Sequence, residues 1–474
     1  MQPPDTAPDA PASARAALSR AGLPREAAEA WARAAPARTA ELASDRSAYC
    51  AFWLRSGELL TRLPPKAVRD TAQSAAAEAI QTFARASRDR FLRAHAAEVY
   101  DALTAGRRSF LRLEALCARA SVEFPGLVPS ARELESEARA ALRDKDALEI
   151  DQGLFLARVL HDPAAGTHLC HAMLLPRDEA RARLPEFERS GELDLGAAHL
   201  QRRGKACVLT MRHPRFLNAE DETTLDAMEI AVDLALLDPR TEVCVLRGGV
   251  VEHPSYAGRR LFGAGINLTH LIQGKIPYLW YLVRDLGYVN KLYRGLARPD
   301  VSPDEDSLEK LWLAAVDGFA IGGHCQTLLT MDFTLAADDA YATLPARKEG
   351  IVPGAANLRL PRFVGDRIAR QAVMAERRID FAGPEGRLLC DEVVRPQEMD
   401  AALERAIARL TGSGVVSAAG NRRAFRVAQE PLELFRRYMA VYAREQAKCH
   451  FSPALIANLE QHWIARTAGN RAPT

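Results

Sequence analysis

The sequence predicts a mixed α/β (α+β) fold, with an α/β core in the second half of the chain preceded and followed by helices. Three observations predict it. Residues 13–190 are dominated by Ala, Arg, Glu and Leu at helical spacing, with few strand formers. Near Gly191 the texture changes to short apolar runs alternating with helical patterns, as in strands layered with helices. After Asp400 the helical texture returns. A chain of 474 residues exceeds one ordinary core. The expected division is a tail over 1–12, an all-helical domain over 13–190, a core over 191–398 and C-terminal helices over 399–474.

The first twelve residues, rich in Pro, Ala and Asp, are expected to be disordered. Residues 71–103 show helical spacing of their apolar side chains. Residues 192–201 and 206–213 read as two strands around a turn at Arg202–Lys205. Residues 220–239 read as a helix with acids at its start. Residues 241–248 form a short buried strand, 274–296 a long helical stretch, and 310–323 a strand entering a glycine turn. That turn is expected to run into an apolar helix over 327–333, and the chain is expected to end in a polar tail.

Composition narrows the function classes. The chain is 48% hydrophobic and 26% charged with a formal net charge of +2, so no nucleic-acid surface is indicated. No apolar run is long enough to span a membrane, and the start lacks the basic and apolar regions of a secretory signal. Eight scattered cysteines without a Cys-x-x-Cys pair suit a reducing compartment. A soluble, cytoplasmic protein is expected. His168, Cys170 and His171 have metal-like types, but no second cluster completes a zinc set, so no metal is expected. Gly263-x-Gly265 lacks the third glycine of a dinucleotide fingerprint.

Two glycine-rich turns stand out, Phe262–Leu268 and Gly318–Gln326, and a third segment, Gly350–Ala356, follows a short strand. Glycines let a backbone approach a ligand closely. A helix starting at Gly322–Gly323 would point free N–H groups at whatever sits there, which suits a developing oxyanion. Cys325 at that helix start is a conceivable low-pKa thiol.

With these turns in order, residues 192–398 resemble the crotonase (enoyl-CoA hydratase/isomerase) superfamily. The match rests on Gly265-Ile266-Asn267-Leu268, on Gly322-Gly323-His324-Cys325-Gln326, and on Arg212–Asn218, similar to the family's CoA-binding turn. The resemblance implies a spiral of ββα units whose C-terminal helices mediate oligomers, here a homotrimer or dimer of trimers. It places the two oxyanion-hole amides on Ile266 and Gly323. The family's two water-handling glutamates would fall at Gln326 and Ala346, so hydration by that route is not expected. His324 also departs from the family's glycine.

The long helical N-terminal domain and residues 253–278, 314–326 and 344–365 further resemble the cofactor-independent dioxygenase branch that acts on aryl-acetyl-CoA thioesters. This implies that 3,5-dihydroxyphenylacetyl-CoA and O2 give 3,5-dihydroxyphenylglyoxylate and free CoA without metal or flavin, in antibiotic building-block synthesis. CoA is then part of the substrate and O2 a co-substrate. Gln326 is expected to act catalytically beside the two amides. Glu220, His253, Asn267, Arg284, Gly322 and Gly350 are expected around the substrate, Glu349 as an acid or base, and Ile321, Leu268, Ile351 and Val352 as apolar lining. Arg284 is expected to pair with Glu220 or the ring hydroxyls. Arg215, Leu217, Arg259 and Arg260 are the CoA candidates, with Lys448 supplied by a neighbouring subunit. An acyl-CoA hydrolase or isomerase using the same oxyanion hole without O2, and a non-catalytic acyl-CoA-binding protein, stay open at this point.

Overall fold

In a computed structural model of the chain, residues 10–36, 39–412 and 414–461 are described. Residues 1–9 of the expected tail lie outside them, as does most of the polar C-terminal tail, while residues 10–12 already belong to the helix Ala10–Arg20. From there to Ser190 the described elements are helices. The longest, Thr71–Leu103, is set by a capping box in which the Asp70 side chain accepts from Gln73 N–H and Gln73 reaches back.

Ten strands follow: β1 Glu192–Asp194, β2 Ala198–Arg203, β3 Ala206–Met211, β4 Val243–Gly248, β5 Leu311–Val316, β6 Phe319–Ile321, β7 Phe333–Ala337, β8 Tyr341–Thr343, β9 Ile379–Asp380 and β10 Glu392–Val394. Seven make one sheet in the order β1-β2-β3-β4-β5-β7-β10. Its first two pairings are antiparallel, and β3 through β10 run parallel. Every residue of β4 is buried, because a parallel strand covered on both faces is apolar throughout rather than alternating. The small sheet β6-β8-β9 stands apart and delivers the second glycine turn.

Four elements differ from the sequence reading. The single strand expected over 192–201 is the antiparallel pair β1 and β2. The helix expected from residue 220 begins at Leu225. Before it, Asp221 accepts from Thr223 and donates its N–H to Thr224 Oγ1, so side-chain bonds replace the helical ladder. The stretch 274–296 is broken into Tyr278–Leu286 and Tyr288–Arg294. At the break, a Cβ on Gly287 would lie 2.4 Å from Val283 O. The helix after Gly322 stops at Leu328, and residues 333–337 are β7, opening beside the Asp332 carboxylate that accepts Trp312 N–H.

The core is divided differently from the chain. One cluster packs the sheet against Leu225–Leu237 and Met399–Leu410. The other joins the N-terminal helices to Tyr278–Leu286, Leu432–His450 and Pro453–Leu459. The helical first third therefore shares its apolar interior with the C-terminal helices. Ile266 is buried in this helical core, whereas Ala320 and Cys325 belong to the sheet core. The two glycine turns meet at the seam.

Candidate active site

Backbone bonds zip the turns together. Gly263 N–H donates to Phe319 O at 3.1 Å and Ile321 N–H to Gly263 O at 3.0 Å. From the other side, Glu220 N–H donates to Gly265 O at 2.7 Å and Asn267 N–H to Glu220 O at 2.8 Å. The flanking groups are thus used. Neither the Ile266 N–H nor the Gly323 N–H has an acceptor among the described residues. Both positions depend on glycine. Gly265 has φ +79°, and a Cβ on Gly323 would lie 2.2 Å from Glu220 Oε2. Asn267 fixes the short helix after the first turn: it caps Leu268–Ile272 through Thr269 and His270 N–H and donates Nδ2 to Asp221 at 2.8 Å.

His324, the departure from the family glycine, has a structural answer. Its Nδ1 accepts the Gly265 N–H at 3.1 Å, and its ring fills the space beside Gly263, where a Cβ would lie 2.2 Å from Nε2. Burial, with the Arg284 charge beside it, pushes the ring pKa down to about 3. His324 is therefore a neutral acceptor that turns the first loop.

Arg284 is the hub behind Gly323. Nε donates to Glu220 Oε1 at 2.9 Å, Nη1 to Asp285 Oδ1 at 2.7 Å and Gln326 Oε1 at 2.9 Å, and Nη2 to Gly323 O at 2.7 Å. Burial opposes the Arg284 charge, but Glu220 and Asp285 more than offset it and raise its pKa. Burial raises the Glu220 carboxyl against the pull of Arg284, and Tyr288 OH donates to the same carboxylate. The expected pairing of Arg284 with Glu220 is present. Of the residues expected at the substrate, Glu220, Arg284 and Gln326 are all buried, Glu220 and Gln326 each bonded to Arg284, and none of them lines the cavity in front of the turns. The reason is electrostatic, since charges removed from water must find partners first.

In front of the turns opens a cavity of about 800 Å³. Its wall includes Arg215, Leu217, His253, Ile266, Asn267, Leu268, Ile321 and Glu349. Gly322 and Gly350 are not in this wall, and Ile351 and Val352 pack against the cores. Gly322 N–H is tied to Thr343 O at 2.9 Å, and Gly350 lies against Leu455. Arg259 and Arg260 border a separate cleft with Arg247 and Asp317, and Arg259 is paired with Asp339. Lys448 is exposed and paired with Glu445. Arg259 and Arg260 do not meet the cavity of this chain, a correction to arginines spotted by type alone; Lys448, expected from a neighbouring subunit, does not line it either. Phe319, Tyr341, Lys348, Asn458 and Leu459 also line the cavity and were missed. Phe319 was visible inside its motif, whereas Asn458 and Leu459 arrive by packing of a helix more than a hundred residues downstream.

Glu349 is half-buried in the wall, and loss of solvation, with Glu376 nearby, pushes its carboxyl up to about 8. Cys325 is no reactive thiol, because burial pushes it up to about 12. His168 Nδ1 bonds Tyr100 OH and His171 Nε2 bonds Arg298 O, and Cys170 between them is buried in the helical core, so each member of the metal-like run has its own surroundings. Asp221, Glu222 and His270 do converge, with His270 Nδ1 2.8 Å from Glu222 and 3.2 Å from Asp221. Asp221 there also serves Asn267 and Thr223. No described helix is long and apolar enough to cross a membrane.

Residues 201–433 match the family of enoyl-CoA hydratases/isomerases. Over 394 residues, 83% of this chain and 90% of the relative, the sequence is 50% identical to a (3,5-dihydroxyphenyl)acetyl-CoA 1,2-dioxygenase of Amycolatopsis orientalis. It is 31% identical over 244 residues to a carnitinyl-CoA dehydratase of Salmonella enteritidis, covering 51% of this chain and 85% of the relative. Among solved structures, an enoyl-CoA hydratase/isomerase from Xanthobacter autotrophicus aligns with 59% of this chain and 96% of its own, at 22% identity and a TM-score of 0.48.

Proposed function

The chain belongs to the enoyl-CoA hydratase/isomerase (crotonase) family, and from that premise we propose that it is a dioxygenase converting 3,5-dihydroxyphenylacetyl-CoA and O2 to 3,5-dihydroxyphenylglyoxylate and free CoA. The observation that carries this reading is one pair of free amides without the usual acids. Neither the Ile266 nor the Gly323 N–H has an acceptor among the described residues, Ile266 lines the cavity, and Gly323 N lies beside Gly265, while Gln326 and Ala346 stand where hydratases are expected to place carboxylates. Such a site stabilises an enolate and does not activate water. The 50% identity to a relative of that activity over most of both chains supports the same reading.

The chemistry follows from the substrate. Ring and thioester acidify the α-hydrogens, and two amides on the thioester oxygen stabilise the enolate by several kcal/mol. The electron-rich enolate passes one electron to O2, and recombination places a peroxide on the α-carbon. The peroxide attacks the thioester carbonyl and expels CoA. The O–O bond then breaks with loss of the second α-hydrogen, giving the keto acid. No metal or flavin is required in this sequence of steps. Leu268, Ile321 and Phe319 in the wall supply an apolar surround. Arg284, itself bonded to Glu220 and Gln326, holds the Gly323 carbonyl.

Arg215 and Lys348 in the cavity wall suit the CoA phosphates. Exposed Val416, Phe425 and Val427 on the helix Val415–Gln429 support a homotrimer or dimer of trimers. Eight unpaired cysteines support a cytoplasmic setting. The test places chelator-treated protein with 3,5-dihydroxyphenylacetyl-CoA in an oxygen-electrode cell and follows thiol release in parallel. Equal O2 uptake and CoA release, both absent anaerobically, are expected. CoA release without O2 uptake would make the protein a hydrolase.

A further inference from the structure

Resting on the enolate reading above, we propose that the Glu349 carboxylate is the general base that takes the first α-proton of the thioester.

Four observations converge on it. Glu349 and Ile266 stand in the wall of the same cavity, and Glu349 is the one carboxylate among the described residues of that wall. Its side chain has no hydrogen bond or ion pair among the described residues, although other acids near the turns are engaged: Glu220 by Arg284 and Tyr288, Asp285 by Arg284, Asp221 by Asn267. A half-buried carboxylate that faces a cavity and has no protein partner is free to meet a ligand, and perturbed acids concentrate at functional sites. Its backbone is fixed. Glu349 N–H donates to Pro345 O at 2.9 Å, Ile351 N–H to Ala346 O at 3.0 Å, and Gly350 sits against Leu455 of the helix Pro453–Leu459. Finally, its carboxyl is pushed up to about 8, chiefly by loss of solvation, which brings the acceptor near working pH and makes it a better match to a carbon acid. The charged neighbours that bear on it are Glu376 and Lys348, with the Tyr281 phenol beyond.

The step balances within the site. The α C–H bond breaks, the proton goes to a Glu349 Oε, and the electron pair stays with carbon, delocalised onto the thioester oxygen between the Ile266 and Gly323 amides. Glu349 ends neutral and the substrate carries the charge. No oxidant takes part, so the step runs without O2. His253 is the rival proton acceptor in the same wall, on a loop where its Nδ1 already accepts Ser255 N–H at 3.2 Å.

The separating experiment is anaerobic. Full-length protein is mixed with 3,5-dihydroxyphenylacetyl-CoA in D2O, and α-deuterium is read by mass spectrometry. Wild type washes deuterium in. E349Q is expected to lose this by about 100-fold or more while still binding the ester, and E349D to recover part of it. Undiminished exchange in E349Q, loss in H253A with E349Q active, or no exchange by wild type would overturn the proposal. Wild-type exchange that is lost in E349Q, without any aerobic O2 uptake by wild type, would uphold the base and remove the dioxygenase.

Discussion

At the residue scale, the site is two amides aimed by their surroundings. His324 holds Gly265, Asn267 anchors the first turn to Asp221, and Arg284 grips the Gly323 carbonyl. Glycine at 323 is a matter of space, since a Cβ would meet Glu220 Oε2 at 2.2 Å. Gly323→Ala must therefore displace either the helix start or the Glu220–Arg284 pair. Its kcat is expected to fall by about 10²–10³-fold, the cost of one lost oxyanion donor, with the fold retained by circular dichroism. Activity within a few-fold of wild type would mean that the Gly323 amide does not hold the oxyanion. The two turns were legible in the sequence because close backbone approach leaves glycines as its trace; the assignment of amides to Ile266 and Gly323 came from the family resemblance. The partners of Glu220, Arg284 and Gln326 were legible only for the first pair. Which way a buried arginine turns is decided by desolvation, which spacing does not record.

At the element scale, the latch between the C-terminal helices and the core is one acid. Glu430, just before the helix Leu432–His450, accepts from Arg359 Nη2 at 3.0 Å, Arg294 Nη2 at 3.2 Å and Arg362 Nη2 at 2.8 Å. Burial opposes its charge, but Arg359 and Arg294 win and hold the carboxyl at about 2. A carboxyl depressed in the fold stabilises it fully above the ordinary carboxylate range. That contribution, roughly 3 kcal/mol, is lost as pH falls through about 2. Glu430→Gln leaves buried guanidiniums uncompensated and is expected to cost about 3–5 kcal/mol in urea unfolding at neutral pH. A cost below about 1 kcal/mol would show that the arginines find other partners. The β2–β3 hairpin and the buried β4 were readable from pattern. The break at Gly287 was not, because a glycine inside a helical pattern signals a close approach only once its neighbour, here the Val283 carbonyl, is known.

At the scale of the whole molecule, two cores meet where the chemistry is placed. Ile266 is held by the helical core and the Ala320–Cys325 segment by the sheet core. A helix from the C-terminal end, Pro453–Leu459, brings Asn458 and Leu459 to the cavity and Leu455 against Gly350. The sequence marks where element type changes near residue 191, but a shared core between first third and last helices leaves no local trace, since apolar periodicity names a face and not its partner. In the proposed reaction the seam delivers one amide from each core to a common enolate, and the reaction with O2 depends on that enolate. Turnover of 3,5-dihydroxyphenylacetyl-CoA under ¹⁸O2 in ordinary water reads its fate. Both labelled atoms should appear in the same product molecule, one in the keto group and one in the carboxylate. A carboxylate oxygen drawn from water would rule out the peroxide route and make thioester hydrolysis the reaction of this site.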